Sequence, residues 1–464
     1  MSNPAQAVEE PSAEEEPSTE EEPSREEDTP SSLDGGAVEK VSEGAPSWLS
    51  ERRRHAWAVF EDTPLPSTRS EEWRYTDVSR LLKFADLRVV PDGAVGEEGT
   101  RPTGLTAAMD EDEAAAGHTV LIDGSVVHVD LDPALEQQGV ILTSLRSAVH
   151  EHGDLLEEML GTEILPPEDG KFQALNAALW SDGVLLYVPP NVKLDLPIRT
   201  TRWVSHGGSA VFTRTLIVAD PGSQVSYVEE LLSEDFDKRT LASSAVEIIA
   251  RDGAEVQYVC IQRLGRGVFC QSAQRTLAHR DSKLDTLNVS LGASVTRLDL
   301  NARLLGPGAH SELLGLYFGD EDQHFDHSTS QDHIAPDTGS DLLYKGALDD
   351  RAHSAFRGMI RVHRDAQRTD AYQTNRNLLL SDDCRANSLP NLEIEADDVK
   401  CSHGATVGQL DSEALFYLLS RGLSRHQAER LVVLGFLGEV MARLPLGGVV
   451  KKVTRAIERK LKNG

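Results

Sequence analysis

Between residues 171 and about 405 the apolar positions fall in short β-branched runs broken by Gly, Asp and Pro. A unit recurs there: Asn191-Val-Lys-Leu194, Gly222-Ser-Gln-Val225, Gly253-Ala-Glu-Val256, Asp281-Ser-Lys-Leu284 and Gly308-Ala-His-Ser311. Its last positions are roughly 31, 31, 28 and 27 residues apart, and each unit opens a strand such as Val225–Leu231 or Val256–Ile261. Repeats of this length stack so that neighbouring turns bury one another's apolar faces. Strand character excludes helical solenoids, and the short period without a Trp-Asp signature excludes WD propellers. The pattern therefore predicts a parallel β-helix with two strands per turn over residues 171–405.

On both sides the period becomes helical. Trp48, Trp57 and Phe60 with the basic patch Arg52–Arg54 predict an amphipathic helix from Trp48 to Phe60, and Leu145, Val149, Leu155, Leu156 and Leu160 predict another across 141–160. Residues 47–170 are thus expected to form an N-terminal helical region. Towards the other end, Asp411 is a good N-cap for a helix from Ser412 to Ser420, with Gly422 as its stop. Ser424 and Gln427 make a capping-box pattern for a second helix carrying Leu431, Leu434 and Val440. A last segment sets Val449, Val453, Ile457 and Leu461 on one side, with Lys451, Lys452, Arg455, Arg459, Lys460 and Lys462 around the rest. Such a helix suits a membrane surface or a partner, and is more often a solvated terminal helix. The expected fold class is mainly β: a right-handed parallel β-helix core flanked by N-terminal and C-terminal helical regions, the latter at 406–464.

Charge refines this picture. The chain has 464 residues and a formal net charge of -30, which argues against non-specific nucleic-acid binding. Residues 1–46 hold fourteen Asp and Glu against Arg25 and Lys40, with EEPS at 9–12, 15–18 and 21–24. That stretch has too little apolar surface to offset the entropy of ordering, so it is expected to be a disordered acidic tail. No signal-peptide or transit-peptide pattern is evident, and the longest apolar run, Leu431 to Ala442, is interrupted by Glu439 and too short to span a bilayer. A cytoplasmic protein without membrane insertion is expected, and Cys260, Cys270, Cys384 and Cys401 are expected to be reduced.

The sharpest chemical feature is Cys401-Ser-His403, where a strand-like run ends. Side chains at i and i+2 of a strand share a face. Thiolate and imidazole suit zinc or iron–sulfur chemistry. No other Cys or His lies within fifteen residues of this pair, so remaining ligands must come from elsewhere in the fold or from another chain. His324, His327 and His333 have metal-like spacing beside Asp326, Asp332 and Asp337; a hydrogen-bonding role within the β-helix is the favoured reading. Cys260, Cys270 and Cys384 are expected as buried small hydrophobes. Phosphate-loop, dinucleotide, nucleophile-elbow and H-E-x-x-H motifs are absent, so the chain is not expected to be an enzyme or to hydrolyse ATP.

Pro390, Leu392 to Ile394, Asp397–Asp398–Val399, Cys401–Ser402–His403–Gly404–Ala405–Thr406, Phe416–Tyr417–Leu418 and Ser420–Arg421–Gly422 together resemble the C-terminal signature of the SufB/SufD family, which assembles iron–sulfur clusters. Gly404 after the histidine, and Glu71–Glu72–Trp73–Arg74–Tyr75–Thr76 near the start, resemble the SufD type. The resemblance implies a parallel β-helix and a non-catalytic scaffold subunit of the SufBCD complex. It implies that His403 and Cys401 help build a transient iron–sulfur cluster at an interface with a SufB-like subunit. It also implies that an ABC-type ATPase, SufC-like, docks on the C-terminal helices, where Phe416, Tyr417 and Arg421 are the candidate contacts. No cofactor of the chain's own is implied, although a reduced flavin accompanies some relatives. Two alternatives remain at this point: a SufB-type scaffold, and a parallel β-helix enzyme acting on polysaccharide.

Overall fold

In the computed structural model, residues 33–90, 102–110, 114–162, 164–444 and 446–463 are described. Helices α1 (Gly35–Val41), α2 (Ser47–Asp62) and α3 (Val78–Leu81) precede strand β1 (Arg88–Val89) and helix α4 (Thr103–Asp110). A hairpin of β2 (Gly117–Ile122) and β3 (Ser125–Leu131) follows, then α5 (Pro133–Gln137), β4 (Ile141–Ser144), α6 (Leu145–Glu151), α7 (Gly153–Met159) and α8 (Lys171–Leu179). The solenoid runs through β5 (Asp182–Val188), β6 (Ile198–Val204), β7 (Ser209–Ala219), β8 (Gln224–Ser233), β9 (Thr240–Ala250), β10 (Glu255–Arg263), β11 (Val268–Ala278) and β12 (Lys283–Ser290). It continues through β13 (Val295–Leu304), β14 (His310–Gly319), β15 (His324–His333), β16 (Gly339–Leu348), β17 (His353–Val362), β18 (Asp370–Leu379), β19 (Arg385–Ile394) and β20 (Lys400–Gln409). Helices α9 (Ser412–Ser420), α10 (Arg425–Arg443) and α11 (Gly447–Asn463) end the chain.

Odd-numbered strands β5 to β19 form one sheet and even-numbered strands β6 to β20 the other, each pairing in parallel with the strand two further on. The result is a β-solenoid of about eight turns with helices at both ends of the chain. The repeated unit is the corner between turns. Asn191, Gly222, Gly253, Asp281 and Gly308 all adopt positive φ, between 53° and 77°. This left-handed kink aims each backbone N–H along the stack: Asn191 N–H reaches Pro221 O at 3.0 Å, Gly222 reaches Asp252 O at 3.0 Å, and Asp281 reaches Pro307 O at 3.0 Å. Glycine and the small Asn and Asp tolerate that conformation. At Gly308 a Cβ would also lie 2.2 Å from Asp281 Oδ1, so any larger residue there would have to displace that side chain. Asp337 and Arg368 continue the same corner at φ 59° and 60°, two repeats that the sequence pattern did not reveal.

Each sheet is covered on its outer face by helices. Leu49, Ala56, Leu145, Leu156, Phe172 and Leu175 pack with Phe212, Leu216 and Phe269 on one sheet. On the other, Val433, Leu437, Val440, Val453 and Ile457 pack with Val259, Leu287, Leu314 and Leu343. The last helix is therefore packed on the solenoid through its apolar face, in contrast to the solvated helix expected from its charge. Two of its basic residues turn inward, while Lys451, Arg455 and Arg459 stay exposed: Lys452 Nζ donates to Glu230 at 2.6 Å, and Lys460 Nζ donates to Leu291 O at 2.7 Å and Phe318 O at 3.0 Å. No helix among the described residues is long and apolar enough to cross a membrane.

Three further differences from the sequence expectation concern boundaries. The N-terminal region 47–170 is not all helical, since it contains the β2–β3 hairpin and β4; Ile141–Ser144 pairs antiparallel with β5 before the helical run begins. The acidic tail expected at 1–46 lies outside the described residues up to position 32, but within it Asp34 caps helix α1, whose Val38 is buried. The β-helix runs past residue 405, because β20 continues to Gln409.

Candidate functional site

The final turn of the solenoid, β19 and β20, differs from every turn before it. Among the described residues, β20 pairs with β18 alone and β19 with β17 alone, so each ends its sheet with an open edge of backbone donors and acceptors. Almost every residue of both strands is exposed or half-buried, whereas β15 and β16 are nearly all buried. Val407 and Ile394 expose 45% and 42% of their surface, leaving an apolar end unsealed.

Cys401 and His403 lie near the start of β20, not at the end of a strand as the sequence suggested. Register sets Cys401 against Ala371 and His403 against Gln373 on β18. Ala371 and Gln373 are 2% and 1% exposed, so both residues continue the face that is buried one turn earlier. Their surroundings then diverge. Cys401 is half-buried and packs with Ile360, Val362, Ala371 and Ala396, whereas His403 is exposed. Burial, and secondarily the charge of Asp370, raise the Cys401 thiol above its ordinary range, opposed by a backbone hydrogen bond with Ala371. The thiol is protonated at neutral pH, and a soft metal would have to displace that proton to bind sulfur. Among the described residues, no group of three or more His, Cys, Asp and Glu side chains is placed to hold a metal ion.

Helix α9 follows directly, with Asp411 capping it by accepting from Glu413 N at 2.9 Å. Phe416 and Tyr417 are 72% and 57% exposed, and the Arg421 guanidinium lies 5.1 Å from the Tyr417 ring centre. No residue of α9 is buried. Helix α10, opened by the Ser424–Gln427 capping box, is by contrast tied to the solenoid. Lys345 on β16 donates to Phe436 O at 2.9 Å and to Glu439 at 2.5 Å, and Arg443 reaches Asp341 at 2.7 Å and Glu312 at 3.2 Å.

The three histidines of β15 are structural. His324, His327 and His333 are buried, and burial lowers each pKa to about 4, so they are neutral near pH 7. His333 Nδ1 and Nε2 bond the hydroxyls of Thr338 and Ser340, both at 2.8 Å. His327 Nε2 meets Ser290 Oγ at 3.2 Å within an aromatic cage of Tyr317, Phe325 and Tyr344. His324 points the other way, out of the solenoid, and meets Thr76 Oγ1 at 2.8 Å. Thr76 ends the Glu71–Thr76 segment, which lies as a strap across the outer face of the sheet. Arg297 stacks 4.5 Å from the Trp73 ring and pairs with Asp326, while Arg357 donates to the carbonyls of Glu71 and Glu72. Cys270 and Cys384 are buried, and all four cysteines are free. Burial pushes the Cys270 thiol up to about 12 and raises that of Cys260 well above its ordinary value.

A helix-clad β-solenoid with an uncovered last turn and an exposed helix beside it defines a β-helix protein rather than a closed single-site globule. Residues 202–436 match the family model described as "SUF system FeS cluster assembly, SufBD core domain", and residues 110–200 match the "SufBD protein N-terminal region". The chain is 31% identical to the iron–sulfur cluster assembly protein SufD of Bacillus subtilis, over 94% of this chain and 99% of that protein. It is 30% identical to iron–sulfur cluster assembly SufBD family proteins of Staphylococcus haemolyticus and Staphylococcus epidermidis, over 88% of each chain. The chain belongs to the SufB/SufD family of iron–sulfur cluster assembly proteins.

Proposed function

We propose that this chain is a cytoplasmic SufD-type scaffold subunit whose last β-helix turn pairs with the matching end of a SufB-type subunit, forming between them a site where an iron–sulfur cluster is assembled as cargo. His403 and Cys401 supply nitrogen and sulfur donors from this side, types that iron accepts; the partner completes the set. The observation that carries the reading is the unsealed β20 edge with both donors on the face that is buried one turn earlier. Sealing that end against a like surface would satisfy the edge and cover Val407 and Ile394. A SufC-type ATPase docks on α9 through Phe416, Tyr417 and Arg421, an aromatic and arginine patch of the kind that anchors interfaces. Nucleotide-driven movement of the ATPase would act on α9 and, through Gln409–Asp411, on β20.

Co-expression with SufB-type and SufC-type partners, followed by anaerobic purification, tests the assembly. A stable ternary complex is expected. Recovery of the chain alone, with both partners folded and present, would overturn the scaffold reading.

A further inference from the structure

The arginine-lined cavity beneath helix α2, lined by no residue of β19 or β20, has the features of a ligand site. It measures about 670 Å³, within the range of small-molecule sites, and lies between α2, Leu160–Thr162, Pro166–Glu168, α8 and the outer face of the solenoid. Leu49, Leu160, Pro166 and Trp180 make its apolar walls, while Arg52 and Arg214 bring positive charge.

Arg214 is the unusual group. It is 2% exposed, yet its Nε and Nη2 have no hydrogen-bond partner. The carboxylate facing it, Glu247, stands 3.5 Å away, too far for a good hydrogen bond, and spends its other oxygen on the Gly161 N–H at 3.1 Å. Gly161 adopts φ +65°, and a Cβ there would lie 2.6 Å from Arg214 Nη1, so the glycine preserves the space around the guanidinium. Arg53 lies behind the wall, 3% exposed, stacked 4.5 Å from the Trp180 ring, with Nε and Nη1 also unpartnered. Burial, and then the charges of Arg214 and Arg146, lower its pKa to about 9, so the guanidinium groups feel one another. At the rim, His55 and Glu168 satisfy each other at 2.7 Å. Buried guanidinium groups with unmade hydrogen bonds are costly unless an anion completes them, and a guanidinium fork binds phosphate or carboxylate in bidentate fashion.

We propose that this cavity binds a small organic anion, with a phosphate or carboxylate on Arg214 and a flat apolar body between Trp180 and Pro166. The site is remote in sequence and element from β20, so it can fail without touching the cluster-assembly reading, and the reverse.

Calorimetric titration of the full chain tests it with four probes: 1-naphthyl phosphate, 1-naphthoate, neutral 1-naphthalenemethanol and inorganic phosphate. One or both aromatic anions should bind saturably at one site per chain, with the alcohol and inorganic phosphate at least about tenfold weaker; the tighter anion identifies the headgroup. Arg214→Gln should weaken that binding at least about tenfold. Because this change strips Glu247 of its partner, Ala177→Phe provides a second variant, filling the cavity from α8 with both charges intact, and it should abolish binding. No binding of either anion below about 1 mM, or binding that survives Ala177→Phe, would overturn the proposal.

Discussion

The Thr76 hydroxyl donates to the Asp326 carboxylate at 2.5 Å although the two residues are 250 positions apart in the chain. The contact is fully buried and shared with His324, and Arg297 neutralises the carboxylate from the other side. It fastens the N-terminal strap to the solenoid. Thr76→Val keeps the shape but leaves Asp326 and His324 short of a partner, so it should cost about 1–3 kcal/mol. Urea unfolding of wild type and variant measures this; equal midpoints and slopes would contradict it.

The buried histidines set an acid limit on stability. His324, His327 and His333 have pKa values lowered to about 4 in the folded chain, against 6.5 for an ordinary histidine. Well above pH 6.5 they are neutral in both states and contribute no pH dependence. Between 6.5 and 4 the unfolded chain takes up protons that the folded chain refuses, so stability falls as pH falls, by at most about 1.4 kcal/mol per pH unit for each histidine. After burial, the charge of Asp326 raises the His327 pKa and those of Arg297 and His324 lower it, acting from the other face of the sheet. Replacing this histidine in His327→Gln should flatten the slope by roughly one histidine's share. Denaturant unfolding at several pH values in this window measures the slope, and an unchanged slope would refute the assignment.

Exposed aromatic residues on α9 contribute little to folding. Phe416→Ser and Tyr417→Ser should change stability by less than about 0.5 kcal/mol. Capture of a SufC-type ATPase should weaken at least about tenfold, as expected for aromatic anchors. Thermal unfolding and a binding titration separate the two effects. Wild-type affinity in the double variant would move the ATPase site elsewhere.

Much of this arrangement was legible in sequence because local rules governed it. The corners at Asn191, Gly222, Gly253, Asp281 and Gly308 need left-handed backbone, which restricts residue choice and makes the repeat visible. At Asp337 and Arg368 tertiary stacking imposes the same φ on less telling residues, so the period faded there. The Asp411 cap and Ser424–Gln427 box are short-range and were readable to the residue. Asp123–Gly124 between β2 and β3 was a hairpin signal that the helical reading of 47–170 overlooked; both residues have positive φ, at 48° and 87°. The fate of α11 depends on Glu230 and Asp320, more than a hundred residues away, and its charge pattern alone pointed to solvent. Likewise i, i+2 spacing put Cys401 and His403 on one face. Only the register with Ala371 and Gln373 shows that this face is the one buried a turn earlier.

The two candidate donors should not weigh equally. Cys401 is half-buried against apolar neighbours with its thiol held protonated, whereas His403 is exposed. In the purified complex, Cys401→Ser should lower iron and sulfide content less than His403→Ala does. Chemical analysis of both variants ranks them, and a larger loss in Cys401→Ser would reverse the order.

The central claim is that the open β20 edge gives half of a cluster-assembly site shared between subunits. Its most direct test is iron and acid-labile sulfide per complex, after anaerobic co-purification of His403→Ala with SufB-type and SufC-type partners. A complex in wild-type yield is expected, with iron and sulfide lowered at least about tenfold, as for a disrupted metal site. A complex that forms normally and carries full iron and sulfide would contradict it.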